Sequence, residues 1–329
     1  MRIWRIRSLR VLIALAAALW CSPARAIVLG SGGNGNLTDS SLLSYGGPGD
    51  PTLPGFDNVG LSGTFGASVT YLANGWFITA NHVSFTAMSN TVTFGANSYT
   101  VDLSSLHVLT NPDSSGADLK MYHLTTSPSL PSITGSSIAT STPSGRVIMV
   151  GNGLSATGPQ QYWDVEPVPM SMPTTYTWTP TTPALSNASG FNIDNTHVIR
   201  WGENNITTTN KIVTNSGGIT NTFVTTLDNA YISTTPLTYE AGVTPGDSGG
   251  GVFSFVGSQW VLSGIMIDEG VYTNQPSAIV YGDEGYIADL SQYRSQILAI
   301  IPEPSSTVLA LSAAAILALF CGRRRLSAG

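Results

Sequence analysis

The strongest constraint on the fold of this chain is a series of short apolar or alternating segments, separated by turns rich in Gly, Pro, Ser and Asn. Such segments are typical of β-strands in a sandwich or barrel. A 3–4 spacing of apolar residues is strong only near the end, where it predicts a helix over residues 289–301. The sequence therefore predicts an all-β protein with one C-terminal helix. The clearest strand candidates are residues 68–71, 76–79, 91–94, 146–150, 223–226, 251–255 and 260–266.

The N-terminus has the three-part order of a Sec-type signal peptide. A basic stretch comes first, an apolar run follows over residues 11–20, and a segment with small residues at the cleavage positions ends at Ala26. The apolar run is shorter than the about 20 residues that span a bilayer. A retained N-terminal anchor is the alternative. We expect residues 1–26 to be removed, so that the mature chain starts at Ile27 and continues as a surface segment over residues 27–60.

The C-terminal tail, residues 302–325, contains Pro-Glu-Pro, an apolar stretch and three consecutive Arg residues. These parts in this order resemble a PEP-CTERM sorting signal of Gram-negative bacteria. The resemblance implies processing by a membrane exosortase. It also implies an exported protein that is anchored at the cell surface through the tail or released outside the cell. A plain membrane anchor is the alternative, with the Arg residues on the cytoplasmic side.

The central part of the chain is acidic and lacks cysteine. Eight of the 13 Lys and Arg lie in the two terminal segments, whereas all 19 Asp and Glu lie between Asp39 and Glu303. This balance argues against nucleic acid as a partner, since phosphate binding needs clustered Lys and Arg. Both cysteines, Cys21 and Cys321, are in the terminal segments, so no disulfide is predicted. No His or Cys spacing suits a metal, and we expect no cofactor.

Residues 246–250 read Gly-Asp-Ser-Gly-Gly. Glycines on both sides of one serine allow a tight turn and a close approach of the backbone. A nucleophile for acyl transfer needs this geometry, because its hydroxyl must be exposed while backbone N–H groups converge on the developing oxyanion. The motif therefore predicts Ser248 as a nucleophile. A glycine-rich loop with an incidental serine is the alternative.

A serine nucleophile needs a base, and the base needs a carboxylate that orients it. His82 follows an apolar strand candidate and a Thr-Ala turn, which places an imidazole at a strand end. Asp118 directly precedes a segment that alternates apolar and polar residues. We therefore predict that His82 and Asp118 act with Ser248 as a catalytic triad. The less favoured candidates are His107, His123 and His197 for the base, and Asp102 and Asp113 for the carboxylate.

Three segments resemble those of chymotrypsin- and trypsin-like serine proteases. Residues 76–83 resemble the family's Trp-Val-Leu-Thr-Ala-Ala-His segment, residues 117–124 its Asp-Ile-Ala-Leu-Leu-x-Leu segment, and residues 246–250 match its nucleophile motif. The order His, Asp, Ser is also that of the family. The resemblance implies a secreted serine endopeptidase that acts on proteins or peptides. It assigns the N–H groups of the oxyanion hole to Gly246 and Ser248.

The fold that the resemblance implies is a pair of six-stranded Greek-key β-barrels. The first would cover residues 61–135 and carry His82 and Asp118. The second, with the closing helix, would cover residues 136–301 and carry Ser248.

The chain departs from the family at three places. Asn81 stands where the family usually has Ala, and Val83 where it often has Cys. The 130 residues from Asp118 to Ser248 exceed the family's usual spacing, and we assign the excess to a Pro-rich surface insertion at residues 167–183.

Two further roles follow from the resemblance. A free N-terminal Ile in the family pairs its ammonium with the Asp before the nucleophile, which here predicts a pair between Ile27 and Asp247 after signal cleavage. The alternative is that Ile27 merely begins a strand. The base of the substrate pocket falls on Gly242, which has no carboxylate and favours a small or apolar substrate side chain. Glu269 is predicted to lie on the pocket wall.

Two other functions remain compatible with the sequence. One is a catalytically silent barrel module bound to the cell surface or to exopolysaccharide. The other is a serine hydrolase that acts on esters.

Overall fold

The computed structural model describes residues 28–29, 55–63, 66–169, 171, 173–229 and 237–301. The predicted signal peptide and sorting tail lie outside these ranges, as does most of the predicted N-terminal surface segment. Within the described part of the chain, no helix is long and apolar enough to cross a membrane.

The first β-barrel is built from six antiparallel strands that follow the short strand β1 (Val28–Leu29). They close in the order β2-β3-β4-β7-β6-β5. Alternate residues of these strands fill the interior, among them Val69, Phe77 and Val92. The six strands are β2 (Val59–Ser62), β3 (Ser68–Ala73), β4 (Trp76–Thr79), β5 (Thr91–Phe94), β6 (Asn97–Thr110) and β7 (Gly116–Leu124).

The second half of the chain contains another closed barrel, in which six strands close in the order β12-β13-β18-β16-β15-β8. When the six strands of each barrel are numbered along the chain, both barrels close in the order 1-2-3-6-5-4. This shared topology confirms the predicted two-barrel fold. The strands of this half are β8 (Arg146–Gly151), β9 (Leu154–Pro167), β10 (Tyr176–Pro180), β11 (Ala188–His197), β12 (Arg200–Asn215), β13 (Gly218–Thr226), β14 (Ala241–Gly242), β15 (Gly251–Val256), β16 (Gln259–Gly270), β17 (Ala278–Val280) and β18 (Glu284–Asp289).

The segment between β8 and β12 forms a sheet of its own. β9, β10 and β11 join β17 in the order β10-β9-β11-β17. The sequence predicts an irregular surface insertion at residues 167–183, but β10 lies within that range and pairs with β9. The strand was missed because its five residues, Tyr-Thr-Trp-Thr-Pro, lie among prolines that favour loops.

The predicted C-terminal helix is α1 (Leu290–Ile300). Asp289 caps its N-terminus by accepting a hydrogen bond from the Ser291 N–H. Its buried residues are Leu290, Tyr293 and Ile297, whose spacing places them on one face. The Tyr293 hydroxyl donates to the Asn111 side chain at 2.7 Å, so the helix of the second barrel also contacts the first.

Hydrogen bonds between the two barrels hold the loop that contains Ser248 against β3. The Ser68 N–H donates to the Ser248 carbonyl at 2.9 Å, and the Ser68 hydroxyl donates to the Gly246 carbonyl at 2.9 Å. The Thr70 hydroxyl donates to the Gly249 carbonyl at 2.9 Å. We call these three bonds the β3 seam. Together with the pairing of β3 to β2 and β4, these contacts bury β3 along its whole length.

We predict that Ser68→Ala lowers the free energy of unfolding by about 1–3 kcal/mol, because it leaves buried polar groups without a partner. The Ser68 hydroxyl accepts from the Asn152 N–H at 2.8 Å as well as donating to Gly246. Urea denaturation measures the change. The exposed Ser84→Ala is the control and should change stability by less than about 0.5 kcal/mol. Equal effects of the two substitutions would contradict the role of the seam.

Candidate active site

Strand pairing in the first barrel brings His82 to Asp118. β4 pairs with β7 with Thr79 opposite Lys120, so the residues just after β4 meet those at the start of β7. The His82 N–H donates to Asp118 Oδ1 at 2.9 Å, and His82 Nδ1 lies 2.7 Å from Asp118 Oδ2. Two contacts to one carboxylate fix both the backbone and the ring of the histidine.

Asp118 is fully buried, and its neighbours belong to both barrels. Its N–H donates to the Thr220 hydroxyl at 2.8 Å, and the Asn215 side-chain amide donates to its Oδ2 at 2.8 Å. The second barrel therefore helps to hold the carboxylate that contacts His82. A buried carboxylate is tolerated when its oxygens accept several hydrogen bonds.

Ser248 completes the arrangement from the second barrel. Its hydroxyl oxygen lies 2.9 Å from His82 Nε2, on the side of the ring opposite Asp118. The following residue, Gly249, has a φ of +92°, and a Cβ there would lie 1.9 Å from the Ser68 carbonyl oxygen. Only glycine fits at this point of the loop, because it adopts positive φ readily and has no side chain to clash with β3.

The three side chains therefore form a continuous line from carboxylate to imidazole to hydroxyl. A neutral imidazole that donates to Asp118 through Nδ1 leaves Nε2 free to accept the proton of the Ser248 hydroxyl. The side chain of His82 is 27% exposed, so the line ends at an open surface. This geometry can support attack of the Ser248 oxygen on an electrophile.

Two backbone N–H groups lie in the same loop. Gly246 has a φ of +97°, and a Cβ there would lie 2.8 Å from the His197 ring carbon Cε1. Within the described chain, neither the Gly246 nor the Ser248 N–H donates a hydrogen bond. Both are available to an oxygen bound beside Ser248.

Asp247 is fully buried between the two residues that supply these groups. Its carboxylate accepts from the Gly153 N–H at 2.7 Å, from the Thr244 N–H at 2.9 Å and from the Thr244 hydroxyl at 3.1 Å. Burial raises its pKa to about 7, while these hydrogen bonds and the charge of Arg200 act to lower it. Ile27 lies outside the described residues, so its pairing with Asp247 stays a prediction.

A cleft of about 230 Å³ adjoins Ser248 and His82. Glu269 and Asp268 line its wall, as do residues of the nucleophile loop. Gly242, the predicted pocket base, is not among the lining residues. It is buried, and a Cβ there would lie 2.5 Å from the Ile279 side chain. Of the two predicted pocket residues, the structure places only Glu269 beside the cleft.

The other titratable candidates lie elsewhere. Asp102 lies in β6 and Asp113 in the turn before β7, and they accept hydrogen bonds from Ser104 and Ser115 at the surface. The remaining histidines contact neither Ser248 nor Asp118. His123 bonds to the Asn74 carbonyl, His197 bonds to the Asn152 carbonyl, and His107 packs on Trp76.

Sequence reasoning missed Asn215, which bridges Asp118 and Asp268 with distances of 2.8 and 3.1 Å from its amide nitrogen. No motif marks it, because it ends a polar strand about a hundred residues beyond Asp118. Asn81, which replaces the family's usual Ala, has a structural role. Its side-chain amide donates to the Gly217 carbonyl at 2.7 Å, and its backbone carbonyl accepts from the Lys120 ammonium at 2.8 Å.

No group of three or more His, Cys, Asp or Glu that could hold a metal ion occurs among the residues that the structure describes.

Comparison with known proteins gives similarity at the level of structure only. No protein-family model and no curated protein matches the sequence. The chain is similar to the NS6 protease from murine norovirus 1, with 13% identity, a TM-score of 0.38, and coverage of 73% of this chain and 93% of that one. It is also similar to a mutant of human heparin binding protein, with 13% identity, a TM-score of 0.46, and coverage of 76% and 93%.

We predict that Asn215→Ala slows covalent labelling of Ser248 by a fluorophosphonate about 10-fold. The substitution removes a neutral donor to the carboxylate that orients His82, and one such bond contributes about 1.5 kcal/mol. Labelling rates of purified protein measure the effect. The exposed Thr214→Ala on the same strand is the matched control and should label at the wild-type rate. Unchanged labelling of Asn215→Ala would show that the amide does not support the site.

Stability should fall as pH rises from about 4 to 8. Burial raises the pKa of four carboxyl groups to values between about 6 and 8, so that the folded state holds protons that the unfolded state has already released. Urea denaturation at pH 5 and pH 8 measures the difference in the free energy of unfolding. This difference should be smaller in Glu240→Gln than in the wild type. Greater stability at pH 8 than at pH 5 would contradict the prediction. The groups are Asp283, raised to about 6, Asp247 and Glu240, each raised to about 7, and Glu269, raised to about 8.

Proposed function

We propose that this protein is a serine endopeptidase that hydrolyses peptide bonds outside the cytoplasm. One observation carries the proposal: His82 lies between the Asp118 carboxylate at 2.7 Å and the Ser248 hydroxyl at 2.9 Å. The three residues come from separate segments of two barrels. The local structure of none of these segments requires the contacts that the three side chains make with one another. The two-barrel fold with the site at the junction agrees with a protease-like hydrolase.

The proposed reaction begins when the Ser248 oxygen attacks the carbonyl carbon of the peptide bond. His82 Nε2 takes the hydroxyl proton, and Asp118 stabilises the resulting imidazolium. The tetrahedral intermediate collapses as His82 gives the proton to the leaving amine, which leaves an acyl group on Ser248. Water then attacks the acyl-enzyme, again with His82 as the base, and restores the serine hydroxyl.

The negative charge that develops on the carbonyl oxygen needs donors that are already in place. We assign this role to the Gly246 and Ser248 N–H groups, neither of which donates elsewhere in the described chain. The β3 seam supports the assignment, because it holds the carbonyl groups of the same two residues. Asp247 fixes the peptide between them through Gly153 and Thr244.

The proposed location rests on the two ends of the sequence. The signal-like residues 1–26 would export the chain, and the tail at residues 302–325 would be processed by an exosortase, with a transient or lasting attachment to the membrane. The acidic central region, which lacks cysteine, suits a soluble body and protein or peptide substrates and gives no basic surface for nucleic acid.

We predict that Ser248→Ala lowers the rate of casein or peptide cleavage by at least about 10³-fold, because the nucleophile is lost. Cleavage assays on the purified protein measure the rate, and Ser84→Ala should retain it. A fluorophosphonate should label the wild type at Ser248 and leave Ser248→Ala unlabelled. Equal cleavage by both proteins would contradict the proposal. If the fluorophosphonate labels Ser248 and the protein cleaves esters but not peptides, the result would favour an esterase. Absence of labelling would favour a binding module.

A further inference from the structure

The chain contains two lysines, and one of them lies beside the loop that carries His82. Lys120 is on β7, two residues after Asp118, so both side chains extend from the same face of the strand. The residue is 6% exposed. The family segment that residues 117–124 resemble has Ala at this position. An ammonium group is costly to bury unless its donors have partners, so the partners of Lys120 indicate its role.

The ammonium of Lys120 contacts the loop on both flanks of His82. Its Nζ donates to the Asn81 backbone carbonyl at 2.8 Å, immediately before the histidine. The same nitrogen lies 5.9 Å from the centre of the Phe85 ring, three residues after the histidine, and 5.6 Å from the centre of the Tyr122 ring. Aromatic faces attract a cation. Lys120 therefore ties both flanks of the base to β7.

The contact with Asn81 is part of a closed ring of hydrogen bonds. The Asn81 side-chain amide donates to the Gly217 carbonyl at 2.7 Å, and the Gly217 N–H donates to Asn215 Oδ1 at 2.9 Å. The Asn215 amide donates to Asp118 Oδ2 at 2.8 Å. The ring closes through β7, because Asp118 and Lys120 belong to this strand. It therefore encloses the backbone that holds the imidazole.

In the described chain, the charged residues that bond to His82 or line its cleft are acids. Asp118 bonds to the ring, and Asp268 and Glu269 line the cleft. Negative charges favour the protonated imidazolium, which cannot act as a base. Lys120 has the opposite charge and therefore opposes this effect.

No direct ion pair cancels the charge of Lys120 among the described residues. Asp118 and Tyr122 are the titratable groups of its own strand that face it, whereas its pairing partners on β4 and β6, Thr79 and Val108, carry no charge. Burial lowers the pKa of Lys120, and the charge of Asp118 acts to raise it. Because the ordinary pKa of lysine is about 10.4, the ammonium is charged at acidic pH.

We propose that Lys120 is a positioning residue for His82: its donor fixes the loop that carries the base, and its charge disfavours protonation of the imidazole. The inference rests on the proposed function and adds a control on it, since the positive charge extends activity to lower pH. Lys120 does not line the cleft, so it acts on the base and not on the substrate.

The test is the pH dependence of kcat/KM for peptide cleavage, which reports the ionisation of the free enzyme. In Lys120→Met, the midpoint of the acid limb should move up by about 0.5–1 pH unit, because a buried cation near the base is lost. The plateau should fall about 10-fold, in kcat and not in KM, because one charged hydrogen bond is lost. A role in packing alone would lower the plateau without moving the limb, and an unmoved limb would overturn the proposal.

Lys211→Met is the matched control, because it removes the same charge from the other lysine of the chain. Lys211 donates to Glu284 at 2.7 Å and lies over the Tyr286 ring. Its acid limb should coincide with that of the wild type. Burial raises the pKa of Asp247 to about 7 and that of Glu269 to about 8. Both groups titrate in every variant, so the difference between variants reports the lysine.

Two further substitutions separate the charge from the fold. Lys120→Arg keeps the charge and should retain the wild-type acid limb. Lys120→Gln keeps a neutral donor towards Asn81 and lacks the charge, so it should show the same shift as Lys120→Met and replaces it if that variant does not fold. A shifted limb in Lys120→Arg, or an unshifted limb in Lys120→Gln, would contradict the proposal.

Failure of this inference can be told apart from failure of the proposed function. Peptide cleavage that depends on Ser248, with the same acid limb in the wild type and in Lys120→Met, would overturn the inference and leave the endopeptidase in place. If no peptide is cleaved, NMR of the His82 ring in Ser248→Ala still decides. Uptake of the ring proton at higher pH when Lys120→Met is added supports the role of Lys120, and uptake at the same pH overturns it.

Discussion

The β3 seam is the contact on which the rest of the site depends. Ser68 and Thr70 of the first barrel donate to the carbonyl groups of Gly246, Ser248 and Gly249 in the second. His82 belongs to the first barrel, so the 2.9 Å distance between its Nε2 and the Ser248 hydroxyl is set by how the barrels meet. Neither barrel alone contains all three side chains of the candidate site. Short side chains suit this role, because they let two backbones approach closely enough for direct hydrogen bonds.

The site holds its buried acids mainly with neutral donors. Asp118 accepts from the Asn215 amide, and Asp247 accepts from two backbone N–H groups and the Thr244 hydroxyl. Neutral donors stabilise a carboxylate without neutralising it, and in the proposed reaction this leaves His82 as the group that gains charge beside Asp118. Asp283 differs from both, since one of its oxygens is buried with no donor among the described residues.

Much of the fold could be predicted from local patterns, and the failures have a common cause. β4 and β5 were predicted with their observed bounds, because both are short segments with buried apolar residues, at adjacent positions in β4 and at alternating positions in β5. β12 was missed over its 16 residues, since its second half is largely exposed and rich in Thr and Asn. Tertiary pairing with β13 and β8 forms this strand, and a single sequence does not show which segments will pair.

The candidate site follows the same rule. His82 and Asp118 could be predicted because each lies at the end of a recognisable strand, and Ser248 because glycines surround it. Asn215 could not, because its relation to Asp118 arises only when β13 and β7 come together at the junction of the barrels. The three residues of the candidate triad have a local sequence pattern, whereas Asn215, which contacts one of them, has none.

The inserted sheet gives a physical reason for the long spacing between Asp118 and Ser248. β11 pairs with β17 through Gly190, Phe191 and Asn192, and the Leu154 N–H of β9 donates to the Pro245 carbonyl of the nucleophile loop at 2.9 Å. Ile193 from the insertion and Ile279 from β17 line a cavity of about 270 Å³ together with Glu269. The extra residues therefore supply part of the wall of a cavity that shares Thr244, Pro245 and Glu269 with the cleft beside Ser248.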